Sequence, residues 1–392
     1  MLAALLTLSG TLPPLDAGAS ERDSRTTPPA AHVARAATGS RRPALACAAC
    51  FLVDDTGRVL WSRGEDERRA NASTTKMVSA LVVARRADLD DTVVVSPAAA
   101  ATGGGGLDLD AGERWGLEEL LYALLLTSSN DAAVALAEHV AGSEDAFVVA
   151  MNRAAGRLGA TRSHFVTPHG LDEPGHFATA EDLATIAERL LATRLLRAIV
   201  STSEITVTGP DGPVELTNRN VLLEGYQGAV GVKTGFTDDA GEVLVAAAER
   251  RGRQLIAVAM ASDNAARDCR RLLDLGWRKL ASSVLVTAGQ QVGWLVFDPG
   301  GAIPAVAGTT VRGMAGPRAL DAVFAPDPGA RPPLAPGETV GTVTVGSGDR
   351  TLATVPAVAG AEVSGTLPPG PLEVIGAVLR AAHEVGTAAT PW

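Results

Sequence analysis

The chain has 392 residues, enough for two or three domains. Hydrophobic residues make up 46% of it and aromatic residues only 4%, so its cores must be built of Ala, Val and Leu rather than rings. The formal net charge is −10, with 34 Lys plus Arg against 44 Asp plus Glu and no long basic run, which argues against a nucleic-acid partner.

Residues 2–8 (LAALLTL) are apolar, and Ala17-Gly18-Ala19 before Ser20 has the pattern of a signal-peptide cleavage site, although no basic residue precedes the apolar run. An extracytoplasmic protein is expected. Residues 20–43 are polar, contain Pro and Gly, and read as a flexible linker, so that 1–43 stands apart from the folded chain. From Ala44 the texture changes. ALACAACFLVDD, a turn at Thr56-Gly57 and RVLWSR predict a β-hairpin. Cys47 and Cys50 fall in this apolar run, where strand positions i and i+3 face opposite ways. No second pair completes a zinc site, and the chain has an odd count of three cysteines. The two are therefore read as small buried residues without a disulfide.

A helix is predicted over 74–86. Helical periodicity over 117–140 continues on both sides of a polar break at Ser128-Ser129-Asn130. Further helices are predicted at 144–158 and 179–198, strands at 203–208, 228–236, 242–249 and 254–262, and a closing helix at 267–281. Strands first and last with helices between them predict an α/β (α+β) domain over 44–282, a sheet with a helical lobe. Beyond 282, short Val-rich stretches alternate with Gly/Pro turns and predict a small all-β C-terminal domain over 283–370. In the tail, 371–392, a short helix is expected over 371–385. Leu372, Val374, Ile375, Val378 and Leu379 with a single Arg would give only weak peripheral contact with a membrane. No apolar run is long enough for a spanning helix.

Three short motifs carry chemistry. Ser73-Thr74-Thr75-Lys76 opens a helix, where positions i and i+3 share a face, so Lys76 can reach the Ser73 hydroxyl. A serine hydroxyl is a weak nucleophile and needs a nearby base, and a lysine serves when burial or another cation lowers its pKa. Ser128-Ser129-Asn130 places hydroxyls and an amide inside an apolar pattern, suited to relaying a proton and holding a substrate amide. Lys233-Thr234-Gly235, at the end of a β-like run, offers a cation and a hydroxyl to an anion, with a glycine that admits close backbone approach. Only Lys76, Lys233 and Lys279 are lysines, so the other 31 of the 34 cations are arginines. Where charge alone is needed this chain uses Arg, and a lysine marks a place where a proton can be lost. Lys279 is read as chance.

Ser-x-x-Lys, Ser-x-Asn and Lys-Thr-Gly, in that order, are shared by penicillin-binding proteins and class A β-lactamases. Over roughly 44–282 the chain resembles the low-molecular-mass penicillin-binding proteins, serine-type D-alanyl-D-alanine carboxypeptidases of the S11 peptidase family. Stretches carrying the likeness include FLVDDTGRVLWSRGEDERRANASTTKMVSALV, HFVTPHGLDEPGHFATAEDLATIA, LTNRNVLL and GVKTGFTDDAGEVLVAAAERRGRQLIAVAM. The resemblance implies a serine β-lactamase/transpeptidase-like fold with an antiparallel sheet, and no cofactor or metal. It implies that Ser73 attacks a peptidoglycan stem peptide ending in D-Ala-D-Ala, with Lys76 as base. Ser128 and Asn130 would line the opposite wall and Ser128 would pass a proton to the leaving D-Ala. Lys233 and Thr234 would hold the terminal carboxylate, with Gly235 beside the substrate. The N–H groups of Ser73 and Phe236 would form an oxyanion hole. β-Lactams would be inhibitors that acylate Ser73.

The chain departs from the family pattern with Asn71 where Pro is frequent and Ser129 where Gly is frequent. The downstream arginine of the family falls on Ala265, and Arg267 nearby is taken as its stand-in for the substrate carboxylate. His164, His169 and His176 are read as structural. The competing readings are a class A-like β-lactamase, whose Glu-x-x-Leu-Asn segment is not evident, an inactive cell-wall-binding scaffold, and an endopeptidase acting on cross-links with the same residues.

Overall fold

The computed structural model describes residues 44–297, 301–314, 320–347, 350–364 and 379–380. The expected signal-like segment and linker lie outside the described residues. Strands β1 (Ala49–Asp54), β2 (Val59–Arg63), β3 (Ala229–Thr237), β4 (Gly241–Arg250) and β5 (Arg253–Ser262) form one antiparallel sheet in the order β2-β1-β5-β4-β3. Alternation along the strands sorts side chains onto two cores. Phe51, Val245, Ile256 and Val258 face the helical lobe. Leu52, Leu244, Ala246 and Leu255 face the closing helix through Leu272, Leu273 and Trp277. With both faces covered, β4 and β5 read as nearly continuous apolar runs.

The lobe contains helices α1 (Lys76–Arg86), α2 (Asn130–Ala141), α3 (Glu144–Leu158), α4 (Ala180–Ala192) and α5 (Arg194–Ser201). Helix α6 (Ala265–Ala281) closes the other face. The single helix predicted over 179–198 is broken at Thr193, which is extended (φ −89°, ψ 109°) and turns its hydroxyl back onto the Arg189 carbonyl at 3.1 Å. A hairpin, Glu204–Gly209 with Gly212–Thr217, adds a second strand to the one read at 203–208.

Cys47 and Cys50 form a disulfide, contrary to the expectation of two unlinked thiols. The strand-periodicity argument failed because β1 begins only at Ala49 and the chain bends at Ala48, so Cys47 is not on the pleat. The remaining cysteine, Cys269, is buried.

After Val284 the described residues are β-structured around a third core that includes Leu295, Phe324, Val343 and Val345. Strands β6 (Gln291–Phe297), β7 (Gly301–Ala307), β8 (Leu320–Pro326), β9 (Thr339–Ser347) and β10 (Arg350–Ala359) pair in the order β6-β7-β10-β9-β8. Of the expected tail helix, only Leu379 and Arg380 lie among the described residues from 371 onward. They pair with β8 as a short edge strand instead. Among the described residues no helix is long and apolar enough to cross a membrane.

Candidate active site

Ser73 lies on a tight 3-10 turn, Ala72–Thr75, that runs into α1. The turn is forced. Ala72 has φ 47°, a left-handed conformation costly for a residue with a Cβ. Two glycines let neighbouring backbone press against it. A Cβ at Gly170 would stand 2.1 Å from the Ala72 carbonyl oxygen, and one at Gly235 would stand 3.0 Å from both Ser73 N and Ala72 Cβ. Strand β3, one of the two edge strands of the sheet, therefore runs directly beside the Ser73 turn. Asn71 braces the turn from beneath, donating from Nδ2 to Thr75 Oγ1 at 2.8 Å.

Lys76, one turn on, is fully buried. Its Nζ lies 2.9 Å from Ser73 Oγ, 2.6 Å from Asn130 Oδ1 and 2.8 Å from the His169 carbonyl oxygen. Two of these partners can only accept. A neutral amine has two N–H bonds and one lone pair. In that form, donating to Asn130 and His169 would leave the lone pair for the serine hydroxyl. Burial, then the charges of Lys233 and Arg219, push the Lys76 amine well below the usual lysine value, with Asp131 pulling partly back.

The second motif ends a five-residue π turn, Ala123–Thr127. Ser128 takes a left-handed conformation (φ 68°, ψ 34°), Ser129 is extended, and Asn130 starts α2. Ser129 turns away to Thr127 Oγ1 at 2.9 Å. Ser128 Oγ is buried with no hydrogen-bond partner among the described residues, yet the residue lines the cleft. Asn130 also donates to the Gly103 carbonyl at 2.9 Å. Asp131 accepts from the N–H groups of Leu107 and Leu109, so the 103–109 loop is held against this wall.

On β3, Lys233 is buried and donates to the Thr234 carbonyl at 3.0 Å. Burial, helped by Arg219, brings its amine down to about 7. Thr234, Gly235 and Phe236 line the cleft with Ser73, Ser128 and Asn130, so all three motifs meet in one cavity of about 520 Å³. Arg267 does not join them. It sits exposed on the first turn of α6 and is not in the cleft lining. The arginine in the lining is Arg219, missed in the sequence although the stretch around it was noticed. Its backbone N–H donates to the Leu126 carbonyl in the π turn, and Asn218 and Asn220 form the local turns that hold it there. An arginine flanked by two turn-forming asparagines was the available signal.

The histidines hold backbone. His176 Nδ1 accepts from Val166 N–H at 3.2 Å, which fixes the proton on Nε2, facing Thr75 Oγ1 at 2.8 Å. His169 Nδ1 accepts from Leu171 N–H, and its carbonyl serves Lys76. His169 is held down to about 4 by burial, Lys76 and His176. His176 is held down to about 4 by burial and His164, with Asp172 opposing and Lys76 assisting. Asp172 accepts from Thr237 Oγ1 at 2.6 Å and ties this loop to β3.

A sheet covered by a helical lobe on one face and a helix on the other thus carries, in its cleft, a buried amine 2.9 Å from a serine hydroxyl. The family model described as D-alanyl-D-alanine carboxypeptidase matches residues 36–264, and the chain belongs to that family, Peptidase S11. It is 34% identical over 216 residues to D-alanyl-D-alanine carboxypeptidase DacF of Bacillus subtilis, covering 54% of this chain and 56% of the relative. It is 38% identical over 208 residues to DacB2 of Mycobacterium tuberculosis, covering 53% of this chain and 71% of that one. The match thus spans little more than half the length of the Bacillus relative. Among solved structures, the DD-transpeptidase of Streptomyces K15 superposes with TM-score 0.58 at 30% identity, covering 60% of this chain and 99% of that one.

Proposed function

We propose that this protein is a serine D-alanyl-D-alanine carboxypeptidase acting outside the cytoplasm, trimming the terminal D-Ala from peptidoglycan stem peptides through an ester on Ser73. The observation that carries this reading is the buried Lys76 amine. Its Nζ stands 2.9 Å from the Ser73 hydroxyl and within 2.8 Å of two acceptors, Asn130 Oδ1 and the His169 carbonyl, so that in its neutral form it would turn its lone pair to the serine.

As Ser73 Oγ bonds to the carbonyl carbon between the two D-alanines, its proton moves to Lys76 Nζ. The carbonyl oxygen takes the negative charge, facing the N–H groups of Ser73 and Phe236. The closeness of Gly235 to Ser73 N supports that pairing. The Lys76 proton then passes through Ser128 Oγ, whose lack of a partner among the described residues suits a relay, to the leaving nitrogen. The C–N bond breaks and D-Ala departs. Water hydrolyses the ester and restores Ser73. The D-Ala carboxylate is held by Lys233, Thr234 and Arg219. A β-lactam opens on Ser73 by the same step, but its leaving nitrogen stays tethered, so the ester persists.

The test is intact-mass analysis after benzylpenicillin, together with D-Ala release from a diacetyl-Lys-D-Ala-D-Ala peptide. One adduct on the peptide containing Ser73, and D-Ala release abolished in Ser73→Ala, are expected. Penicillin turnover without D-Ala release would replace this reading with a β-lactamase.

A further inference from the structure

Among the described residues the cleft lining holds two charged side chains of opposite sign, Arg219 and Glu242. Arg219 belongs to the end that takes the terminal carboxylate in the proposed reaction. Glu242 has no part in that reaction. It lies at the start of β4 and pairs with Phe236, directly across from it on β3. Cross-strand partners share one face of a sheet, so the carboxylate and the ring stand side by side. Phe236 lines the cleft and is 66% exposed, which leaves an apolar surface open beside the carboxylate.

Glu242 also has a structural task. Its Oε2 accepts from Ala265 N–H at 2.8 Å, at the start of α6, where a carboxylate complements the positive end of the helix dipole. That task occupies one oxygen. The residue is exposed, and Oε1 has no hydrogen-bond or ion-pair partner among the described residues. The bond to α6 also holds the carboxylate in place, so little ordering remains to be done when a cation arrives.

We propose that Glu242 and Phe236 form a subsite for a primary ammonium group on a flexible carbon chain, carried by the residue that precedes D-Ala-D-Ala in the stem peptide. The inference rests on the carboxypeptidase reading and deepens it to a specificity. Register supplies the reach. With the terminal carboxylate at Thr234 and the scissile carbonyl at the Phe236 N–H, the peptide runs antiparallel to β3 and its earlier residues pass toward Thr237. The residue two places before the terminal D-Ala then lies about 7 Å further along. Glu242 lies two residues along from Leu244, the partner of Thr234, which is the same distance. The carbon chain crosses the Phe236 ring and the ammonium meets the free Glu242 oxygen, in a charge-assisted hydrogen bond. A stem whose amine is already acylated in a cross-link brings no charge to this oxygen. The subsite therefore favours stems that are not yet cross-linked through that amine.

The test compares kcat/KM for D-Ala release by the full chain from two peptides. One is Nα-acetyl-Lys-D-Ala-D-Ala, whose side-chain amine is free, and the other is the diacetyl peptide. At about 0.01 M ionic strength the wild-type chain is expected to prefer the free amine about fivefold, and the ratio should shrink toward one as salt is raised to about 0.5 M. Glu242→Gln keeps an acceptor for the Ala265 N–H and loses the charge, so its ratio should fall to about one. Fluorescent-penicillin labelling of Ser73 reports whether the variant is folded. Should it fail to label, the salt series on the wild-type chain decides. Equal rates with the two peptides, a preference indifferent to salt, or a preference kept by a labelling-competent Glu242→Gln overturns the subsite and leaves the carboxypeptidase reading standing. No D-Ala release from either peptide by a chain that labels removes that reading and the subsite with it.

Discussion

Lys76 Nζ lies closer to Asn130 Oδ1, at 2.6 Å, than to the Ser73 hydroxyl, at 2.9 Å. The Asn130 side chain is a neutral acceptor, so it orients the amine and favours its charged form far less than a carboxylate would. Asn130→Asp puts a carboxylate at the same place. An adjacent negative charge stabilises the ammonium and raises its pKa. The acid limb of the rate of Ser73 acylation is expected to move to higher pH by one unit or more, read with fluorescent penicillin between pH 5 and 10. An unmoved limb would remove Lys76 from the role of base.

Lys76→Arg keeps a long basic side chain and loses the chemistry, since a guanidinium stays protonated. General-base removal costs about 10²- to 10⁴-fold. No penicillin adduct should form within minutes by intact mass, whereas the wild-type chain labels fully. Rapid labelling of the variant would contradict the assignment.

Lys233 sits at about 7 in the free cleft, mainly because it is buried and secondarily because Arg219 is near. At pH 8 it is mostly neutral. A bound carboxylate restores the ammonium, so binding a D-Ala-terminated peptide at pH 8 should take up as much as one proton. At pH 5.5 the site is already charged and the uptake should vanish. Calorimetric titrations in two buffers of different ionisation enthalpy measure it, and equal uptake at both pH values would count against Lys233 as the carboxylate partner.

His169 and His176 are both held at about 4, against an ordinary value of 6.5. Between about pH 6.5 and 4 the unfolded imidazoles gain protons that the folded ones refuse. Stability therefore falls as pH drops through that window and levels off below it. The groups facing these rings are Lys76, His164 and Asp172. Their carboxylate and amine charges are common to wild type and variant. The double variant His169→Gln/His176→Gln should show a smaller drop in Tm from pH 7 to pH 4.5, though a lower Tm at pH 7. Parallel curves would mean the two imidazoles are not the titrating groups.

The order and spacing of the three motifs were written in the sequence, because i, i+3 spacing on a helix turn suffices to set Lys76 beside Ser73. The five sheet strands and most of the lobe helices were also legible, since burial on one or two faces leaves a periodic apolar pattern. The break at Thr193 and the Cys47–Cys50 bond were not, because each depends on where a regular element stops, and apolar periodicity does not mark that point.

Only the tertiary structure placed Arg219 rather than Arg267 in the cleft lining and supplied the His169 carbonyl as the second acceptor for Lys76. A carbonyl oxygen is the same at every residue, and the direction of a long side chain depends on what packs around it. Neither leaves a trace in the order of amino acids.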